Sequence, residues 1–175
     1  LSFSRQTCNL NPSILKRELE RFVIELSWKS SKIEGNTYTL LETESLIKEQ
    51  KEAVGRTKDE SIMILNHKSA FEEILKNKDD FKNISISQIS QLHNILIKDL
   101  NVSTGIRKQA VGITGTIYQP LDNEHQIREV FEKTIAIINK TKNPLEKALI
   151  AQFMLAYIQP YADGNKRTAR MLTNA

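Results

Sequence analysis

Apolar residues recur every three or four positions along most of the chain, which is the spacing of one helix face. The first such stretch follows Asn11-Pro12-Ser13, where Asn11 and Ser13 are both candidate N-caps, and it runs towards Ile33. Its apolar positions are Leu15, Leu19, Phe22, Val23 and Leu26. We expect this helix to end at Gly35-Asn36, because glycine commonly terminates helices.

Six further stretches have the same periodicity, so most of the remaining chain is predicted to be helical. Their expected starts are Thr39 or Thr43, Thr57 after Gly55, Ser85 or Ser87, a position near Ile127, Asn143-Pro144, and Gly164 or Asn165. The segment from Val102 to Asn123 differs, because it combines glycines with β-branched residues and predicts a small β-hairpin or extended flap. The predicted fold class is all-α, a helical bundle with a small β-hairpin flap, in one compact domain.

Composition narrows the class of protein. The 175 residues are 39% hydrophobic and 26% charged, which favours one folded domain over a disordered or membrane-embedded chain. Because no run of about 18 apolar residues is present, no membrane partner is expected. The net charge of +4 is dispersed and gives no clear nucleic-acid signal.

The single cysteine and the two chain ends indicate where in the cell the protein is expected and whether the chain is trimmed. Cys8 alone excludes a disulfide framework and fits a reducing cytoplasm, so a cytoplasmic location is expected. The chain starts at Leu1 with no visible signal peptide. It stops at Ala175 inside a predicted helix, so we expect a trimmed chain that is truncated at its C-terminus.

The segment from Gln159 to Arg170 has the chemistry of a phosphate-binding loop. Gly164 permits a close approach of the backbone to a ligand, and the residues after it open a helix whose free N–H groups attract anions. An amide and three cations follow it: Asn165, Lys166, Arg167 and Arg170. Asp163 lies at the mouth, where a carboxylate can hold Mg²⁺ that bridges phosphate oxygens. The alternative is a capped helix with a solvated basic face, but the combination favours anion binding.

The same segment resembles the active-site motif of the Fic family, H-x-F-x-[DE]-G-N-[GK]-R-x-x-R. The matching residues are Pro160, Asp163, Gly164, Asn165, Lys166, Arg167 and Arg170, with Tyr161 in place of phenylalanine. The resemblance includes the helical bulk, the upstream flap and an N-terminal element, and therefore covers nearly the whole chain. It implies a Fic core over residues 37–175, preceded by residues 1–36, an N-terminal segment that carries an inhibitory helix.

The resemblance also implies a reaction, the transfer of AMP from ATP to a hydroxyl side chain of a target protein, with ATP and Mg²⁺ as cofactors. Under this resemblance, Asp163 binds the metal on the α- and β-phosphates, and the backbone of residues 164–166 forms the anion hole. Arg167 then holds the β-phosphate and Arg170 the γ-phosphate. Such charge-assisted contacts suit phosphoryl chemistry, where positioning and electrostatics provide most of the rate.

Gln159 departs from the motif, whose first residue is the histidine that takes the proton from the attacking hydroxyl. A glutamine amide is not a useful base at neutral pH, so we expect impaired AMP transfer while nucleotide binding is retained. His67, His93 and His125 are interpreted as surface or packing residues and not as a displaced base. Three explanations of Gln159 stay open: a natural variant, which we favour, an engineered inactivating change, and chemistry that needs no base there.

A second short motif lies at the end of the first predicted helix. Ser30, Glu34 and Gly35 match the inhibitory motif of the Fic family, [ST]-x-x-x-E-[GN]. Taken alone, the pattern also describes a glycine-terminated helix with a solvated glutamate. Its place ahead of the Fic core favours the inhibitory interpretation. The resemblance then implies that Glu34 pairs with Arg170 and withdraws this arginine from the γ-phosphate.

The flap predicts how a target protein docks. Its residues are Ile113, Thr114, Gly115, Thr116, Ile117 and Tyr118. In the family the flap pairs with the backbone of the target by adding a strand, which aligns the modified side chain with the α-phosphate. A connecting hairpin without this role is equally compatible with the pattern. A second copy of the chain, in a homodimer, is a further candidate partner.

Four functions compete at this point. The leading one is a nucleotide-binding Fic domain, nominally a protein adenylyltransferase, that is held by Glu34. The second is a phosphotransferase of the death-on-curing type, which Lys166 resembles but against which Arg170 argues. The third is a catalytically inactive, nucleotide-dependent binding or regulatory module, favoured by Gln159. The fourth, nucleic-acid binding, has little support from the dispersed charge.

Overall fold

The computed structural model describes residues 11–113 and 115–175, and it is helical over most of these ranges. The seven α-helices of this part of the chain are α1 (Pro12–Ile33), α2 (Leu40–Glu49), α3 (Lys58–Lys76), α4 (Ile86–Ile97), α5 (Glu124–Lys140), α6 (Pro144–Ile158) and α7 (Asn165–Thr173). A short 3-10 turn, Asp80–Lys82, precedes α4. The predicted all-α class is confirmed.

The helix starts follow from the capping residues. The Asn11 side chain accepts a hydrogen bond from the Ser13 amide at the start of α1. Thr39 and Thr57 begin α2 and α3 with reciprocal capping boxes, in which a glutamate three residues later bonds back to the cap amide. The polar caps of α4, α5 and α6 are Ser85, Asn123 and Asn143. Where the sequence left two candidate caps open, the structure therefore selects Asn11, Thr39 and Ser85.

One apolar core lies between the helices. In the described residues, α1 packs on α2 and α3, α4 packs on α3 and α7, and α6 packs on α5 and α7. The largest core side chains with almost no exposure include Ile89, Leu92, Leu96, Phe131, Leu155, Tyr161 and Met171. Tyr161 belongs to the loop between α6 and α7, so the core itself anchors the predicted site. No helix in the described part of the chain is long and apolar enough to cross a membrane.

The expected β-hairpin flap is not formed. Residues 102–113 and 115–123 contain no strand, and Thr114 lies outside the described residues. Within residues 113–118, which we call the flap, a turn-like bond joins the Thr116 amide to the Ile113 carbonyl at 3.2 Å. The β-branched residues indicated an extended chain, but a two-stranded hairpin is marginal unless a further strand or a helix packs on it.

Candidate functional site

The loop of residues 159–164, which we call the motif loop, joins α6 to α7 through two left-handed residues. Gln159 ends α6 with φ 51° and Gly164 begins α7 with φ 78°. A Cβ added to Gly164 would lie 3.0 Å from Cγ2 of Ile97 and 3.4 Å from the ring of His93. Glycine is therefore required here both by the backbone conformation and by the close approach of α4.

Asn165 fixes the shape of the motif loop with its side chain. Its Oδ1 accepts a hydrogen bond from the Tyr161 amide at 2.9 Å, and its Nδ2 donates to the Tyr161 carbonyl at 2.8 Å. The same Nδ2 also donates to Oε1 of Gln159 at 2.9 Å. Asn165 is buried, so these bonds form away from competing water. The Asn165 side chain therefore bonds to the backbone and to a side chain of the motif loop.

Gln159 is held at both ends of its amide. While Oε1 accepts from Asn165, Nε2 donates to the Ala156 carbonyl at 2.6 Å. The side chain is buried, and its orientation is fixed because a carbonyl can only accept. Gln159 therefore has one protein partner at each end of its amide, and these two bonds hold the side chain in place within the motif loop.

His93, on α4, packs against the motif loop and bonds to it. Its ring stacks on Tyr161 with centroids 3.8 Å apart, and its Nε2 donates to the Asp163 carbonyl at 2.9 Å. Burial lowers the pKa of His93, so the ring is neutral at physiological pH. The tyrosine hydroxyl in turn bonds Oγ of Ser90 at 3.1 Å. His93 is a packing residue, as expected, but its contact with the motif loop could not be predicted from its place on a helix.

The start of α7 is open to an anion. No side chain caps this helix, so the N–H groups of its first turn keep their capacity to bind a ligand. Lys166 is exposed beside them. Arg167 is instead buried, where it donates to Oδ2 of Asp163 at 2.9 Å and to the Leu96 carbonyl at 3.4 Å. The structure brings Asp163 to the mouth of the loop, with its side chain 66% exposed.

Arg170 faces α1 and not the start of α7. It forms an ion pair with Glu34, and its Nε donates to Oγ of Ser30 at 2.9 Å. The Ser30 carbonyl accepts a further bond at 3.2 Å. The two side chains of the ion pair are only 17% and 25% exposed, so the pair is partly shielded from water. Gly35, with φ 91°, ends the turn that presents Glu34.

Arg107 joins the motif loop to the chain on either side of the flap, and in the sequence it is no more than a lone basic residue. Its Nε donates to the Gln159 carbonyl at 2.6 Å, and its two terminal nitrogens donate to the carbonyls of Gln109 and Leu121. Its own amide donates to the Pro160 carbonyl at 2.9 Å. Burial lowers the pKa of this guanidinium, but arginine stays protonated in proteins.

A cleft lies between α1, the motif loop and the near end of the flap. Its volume is about 150 Å³, and Glu34, Ile113, Gln159 and residues 162–166 are among the groups that line it. Cavities that bury a small molecule usually measure about 300 Å³ or more. Beyond the cleft, Ile117 is fully exposed and Tyr118 stacks on Tyr157 with centroids 4.3 Å apart.

In the absence of a nucleotide, the residues of the site supply only some of the ligands that Mg²⁺ needs. The described residues contain no group of three or more His, Cys, Asp or Glu side chains arranged to hold a metal. Asp163 is a single exposed carboxylate, and one of its oxygens is already bonded to Arg167. Mg²⁺ is commonly held by one or two carboxylates together with substrate phosphates and water. Asp163 therefore fits an ion that arrives with its phosphates.

Several curated proteins with similar sequences bear the name protein adenylyltransferase. The sequence model of the Fic/DOC family matches residues 83–175. Protein adenylyltransferase Fic of Drosophila melanogaster is 28% identical over 163 residues, which cover 91% of this chain and 33% of that protein. The protein of the same name from Culex quinquefasciatus is 30% identical over 166 residues, with the same two coverages. This chain thus spans about a third of the length of these curated relatives.

Solved structures share the fold. A Fic domain containing signaling protein from Bacteroides thetaiotaomicron has a TM-score of 0.82 at 24% identity, covering 95% of this chain and 66% of that one. Fic-1 from C. elegans has a TM-score of 0.78 at 22% identity, covering 96% of this chain and 50% of that one. The matched residues 83–175 form more than half of this chain and contain the whole motif, so the chain belongs to the Fic/DOC family.

Proposed function

We propose that this chain binds ATP with Mg²⁺ and belongs to a protein adenylyltransferase that is restrained by Glu34 and impaired by Gln159. The observation that carries the proposal is the environment of Arg170. This motif arginine lies one turn beyond Arg167 on α7, yet it is bonded to Ser30 and Glu34 of the α1 end, 136 positions away from Glu34 in the chain. The relatives named protein adenylyltransferase Fic suggest the reaction.

The start of α7 supports the nucleotide part of the proposal. Its uncapped first turn and the exposed Lys166 would attract phosphate oxygens, and the exposed carboxylate of Asp163 would bind the metal. Bound Mg²⁺ would neutralise phosphate charge and orient the polyphosphate. When Asp163 turns to the ion, Arg167 loses a carboxylate partner and its guanidinium becomes available to a phosphate.

The contact between Glu34 and Arg170 supports the restraint. A guanidinium that is paired with a carboxylate and bonded to Ser30 is not available to a γ-phosphate. Glu34 also forms one wall of a cleft that is small for a nucleotide. The carboxylate would repel a γ-phosphate placed beside it. Both effects act on the terminal phosphate and leave the rest of the site unchanged.

The reaction that we propose needs a base, and Gln159 is not one. The hydroxyl oxygen of the target attacks the α-phosphorus, the bond from that phosphorus to the bridging oxygen of the β-phosphate breaks, and pyrophosphate leaves. The proton of the hydroxyl must pass to a base at position 159, where an amide accepts no proton at neutral pH. The described residues of the cleft wall include no histidine. Transfer is therefore slowed by about 10²–10⁴-fold, the usual value of acid–base help.

The flap supports a target protein as the second substrate. Its described residues have few internal backbone bonds, so their N–H and C=O groups remain open to an added strand. Ile113 lines the cleft and Ile117 is fully exposed, so the flap extends from the cleft to the surface. A target strand laid along it would bring a hydroxyl side chain towards the motif loop. We assign target docking to residues 113–118 on this basis.

A transfer assay tests the proposal. The chain and its Gln159→His, Glu34→Gln double variant are incubated with a lysate, Mg²⁺ and ATP that is labelled at either the α- or the γ-phosphate. Histidine tolerates a left-handed backbone comparatively well, so the φ of 51° at this position does not bar it. We expect protein labelling from α-labelled ATP by the double variant, at a level at least about a hundredfold above the unmodified chain.

The two labels separate the competing functions. Labelling from the γ-phosphate alone would replace AMP transfer with phosphate transfer. Absence of labelling from either position, with ATP still bound, would favour the second candidate, a nucleotide-dependent binding module. The specific observation in its favour is that both ends of the Gln159 amide are bonded inside the protein. Absence of ATP binding in both proteins would contradict the nucleotide site itself.

A further inference from the structure

Beneath the contact between Glu34 and Arg170 lies a buried polar cluster. Oγ of Ser30 is 2.8 Å from Nε2 of His67, a residue of α3 that is 37 positions away in the chain. The other ring nitrogen, Nδ1, is 2.7 Å from the Met63 carbonyl and 3.3 Å from Oγ of Ser31. Both serines and His67 are at most 2% exposed. Among the described residues, the hydrogen bonds of this cluster lead to Arg170 through Ser30.

The partners fix the direction of the hydrogen bonds that lead from Met63 through His67 and Ser30 to Arg170. A carbonyl only accepts, so Nδ1 of His67 carries the proton and donates to Met63. In the neutral ring Nε2 is then an acceptor, and the Ser30 hydroxyl donates its hydrogen to it. With that hydrogen engaged, the lone pairs of Oγ face the Nε–H of Arg170 at 2.9 Å. The result is a chain of donors that runs from Arg170 through Ser30 to His67.

The neutral ring is the stable form in this environment. Burial lowers the pKa of His67 to about 4, and the positive charges of Arg167 and Arg170 lower it in the same direction. The proton-free Nε2 is therefore available at physiological pH. Without that acceptor, the hydroxyl of Ser30 could rotate its hydrogen towards Arg170. The two hydrogen-bond donors would then face each other, and no bond would form between them. Nε2 of His67 on α3 thus determines that Oγ of Ser30 on α1 acts as an acceptor towards Arg170.

We propose that His67 is a positioning residue of this restraint and that it holds Ser30 as the acceptor that keeps Arg170 beside Glu34. The inference rests on the proposed function, because only under that function does the position of Arg170 affect the binding of the γ-phosphate. His67 touches neither nucleotide nor metal and acts through Ser30 alone. It also joins the restraint to α3, so the Glu34 contact depends on how α1 packs against the Fic core.

Nucleotide affinities of a small set of variants test this inference. His67→Phe fills the site without an acceptor, and His67→Gln can donate to Met63 and still accept from Ser30. Ser31→Ala is the matched control, since Ser31 contacts the same ring and does not contact Arg170. We expect His67→Phe to tighten ATP binding by about twofold to tenfold, the value of one buried hydrogen bond, with no change for ADP. His67→Gln and Ser31→Ala should bind ATP like the unmodified chain.

A double-mutant cycle with Ser30→Ala separates this role from general packing. If His67 acts through Ser30, then Ser30→Ala alone tightens ATP binding and His67→Phe adds nothing further in that background. An equal effect of His67→Phe with and without Ser30 would overturn the inference. So would a loss of thermal stability in His67→Phe with the ratio of the ATP and ADP affinities unchanged. Should His67→Phe fail to fold, an unchanged ATP affinity in Ser30→Ala overturns it alone.

The Glu34→Gln variant keeps this test separate from that of the function. If Glu34→Gln tightens ATP binding while Ser30→Ala and His67→Phe do not, the restraint stands and the role of His67 is wrong. If Glu34→Gln does not bind ATP at all, both proposals are wrong. A readout without nucleotide is the exchange of the Arg170 Nε–H with water. We expect it to be slow in the unmodified chain and in His67→Gln, and faster in His67→Phe. Equal exchange in all three would contradict the donor chain.

Discussion

The motif loop and the flap approach the same cleft, but their hydrogen bonding differs. At the motif loop, the side-chain amides of Gln159 and of Asn165, the first residue of α7, both bond to protein partners, and Tyr161 lies in the core. In the described part of the flap, internal bonds are few, Ile117 is fully exposed, and no strand forms. A loop that holds phosphates benefits from fixed donors, whereas a surface that adds a strand from a target must keep its backbone open.

Of the substitutions that test this comparison, one at Arg107 should cause the largest loss of stability. Arg107→Met removes the charge that bonds the carbonyls of Gln109, Leu121 and Gln159, and it leaves three acceptors without their donor, of which that of Gln159 is buried. We expect a loss of about 3 kcal/mol in the free energy of unfolding. Hydrogen exchange should also rise in both the motif loop and the residues that flank the flap, because Arg107 bonds to both. Chemical denaturation and amide exchange measure the two effects.

Lys108→Met is the control for that substitution. Lys108 is the next residue along, its side chain is 81% exposed, and its contact with Glu124 is a long surface pair of 3.8 Å. We expect a change of no more than about 0.5 kcal/mol. Equal losses in the two variants, or exchange that rises only in the residues that flank the flap, would show that Arg107 does not join these residues to the motif loop.

Substitutions at two glycines compare the rigidity of the motif loop with that of the flap. Gly164→Ala in the motif loop meets a positive φ and a Cβ contact of 3.0 Å, so we expect a loss of about 2 kcal/mol. Gly112→Ala, beside the flap, has an ordinary φ and no atom within 4 Å of its Cβ, so stability should be unchanged or rise by about 0.5 kcal/mol. Thermal unfolding of both variants measures the difference. Similar losses at the two positions would contradict the view that only the motif loop is rigidly built.

Tyr118 should give the smallest effect. Its ring stacks on Tyr157, and both rings are partly exposed. Tyr118→Ala should therefore cost no more than about 1 kcal/mol in the free energy of unfolding, and ATP affinity should not change. Denaturant titration and calorimetry check the two expectations. A loss as large as that of Gly164→Ala would mean that the flap is part of the folded core.

The sequence predicted the helical fold well because its signals are local. Periodic apolar residues and polar caps specify each helix, as Thr39 and Thr57 show with their capping boxes. The motif residues from Asp163 to Arg170 could be placed for a related reason, since they are contiguous in the chain. The hairpin was wrong because β-branched residues report an extended backbone and not the presence of a partner strand.

The contacts that were missed are all between distant segments. Arg107 could not be recognised, because its partners are backbone carbonyls, which any sequence supplies. His67 and His93 were expected to be surface or packing residues, and both are buried. Their bonds to Ser30 and to the Asp163 carbonyl depend on how helices pack, which periodicity does not specify. The resemblance did predict the pairing of Glu34 with Arg170, and the structure contains that ion pair.

The measurement that tests the central claim most directly compares ATP with ADP in calorimetric titrations with Mg²⁺. If Glu34 withholds Arg170 from the γ-phosphate, the unmodified chain should bind the two nucleotides with similar affinity. Glu34→Gln should then tighten ATP binding by about tenfold or more, the value of a charge-assisted hydrogen bond, and leave ADP unchanged. An equal change for both nucleotides, or none for either, would contradict the claim that Glu34 restrains this site.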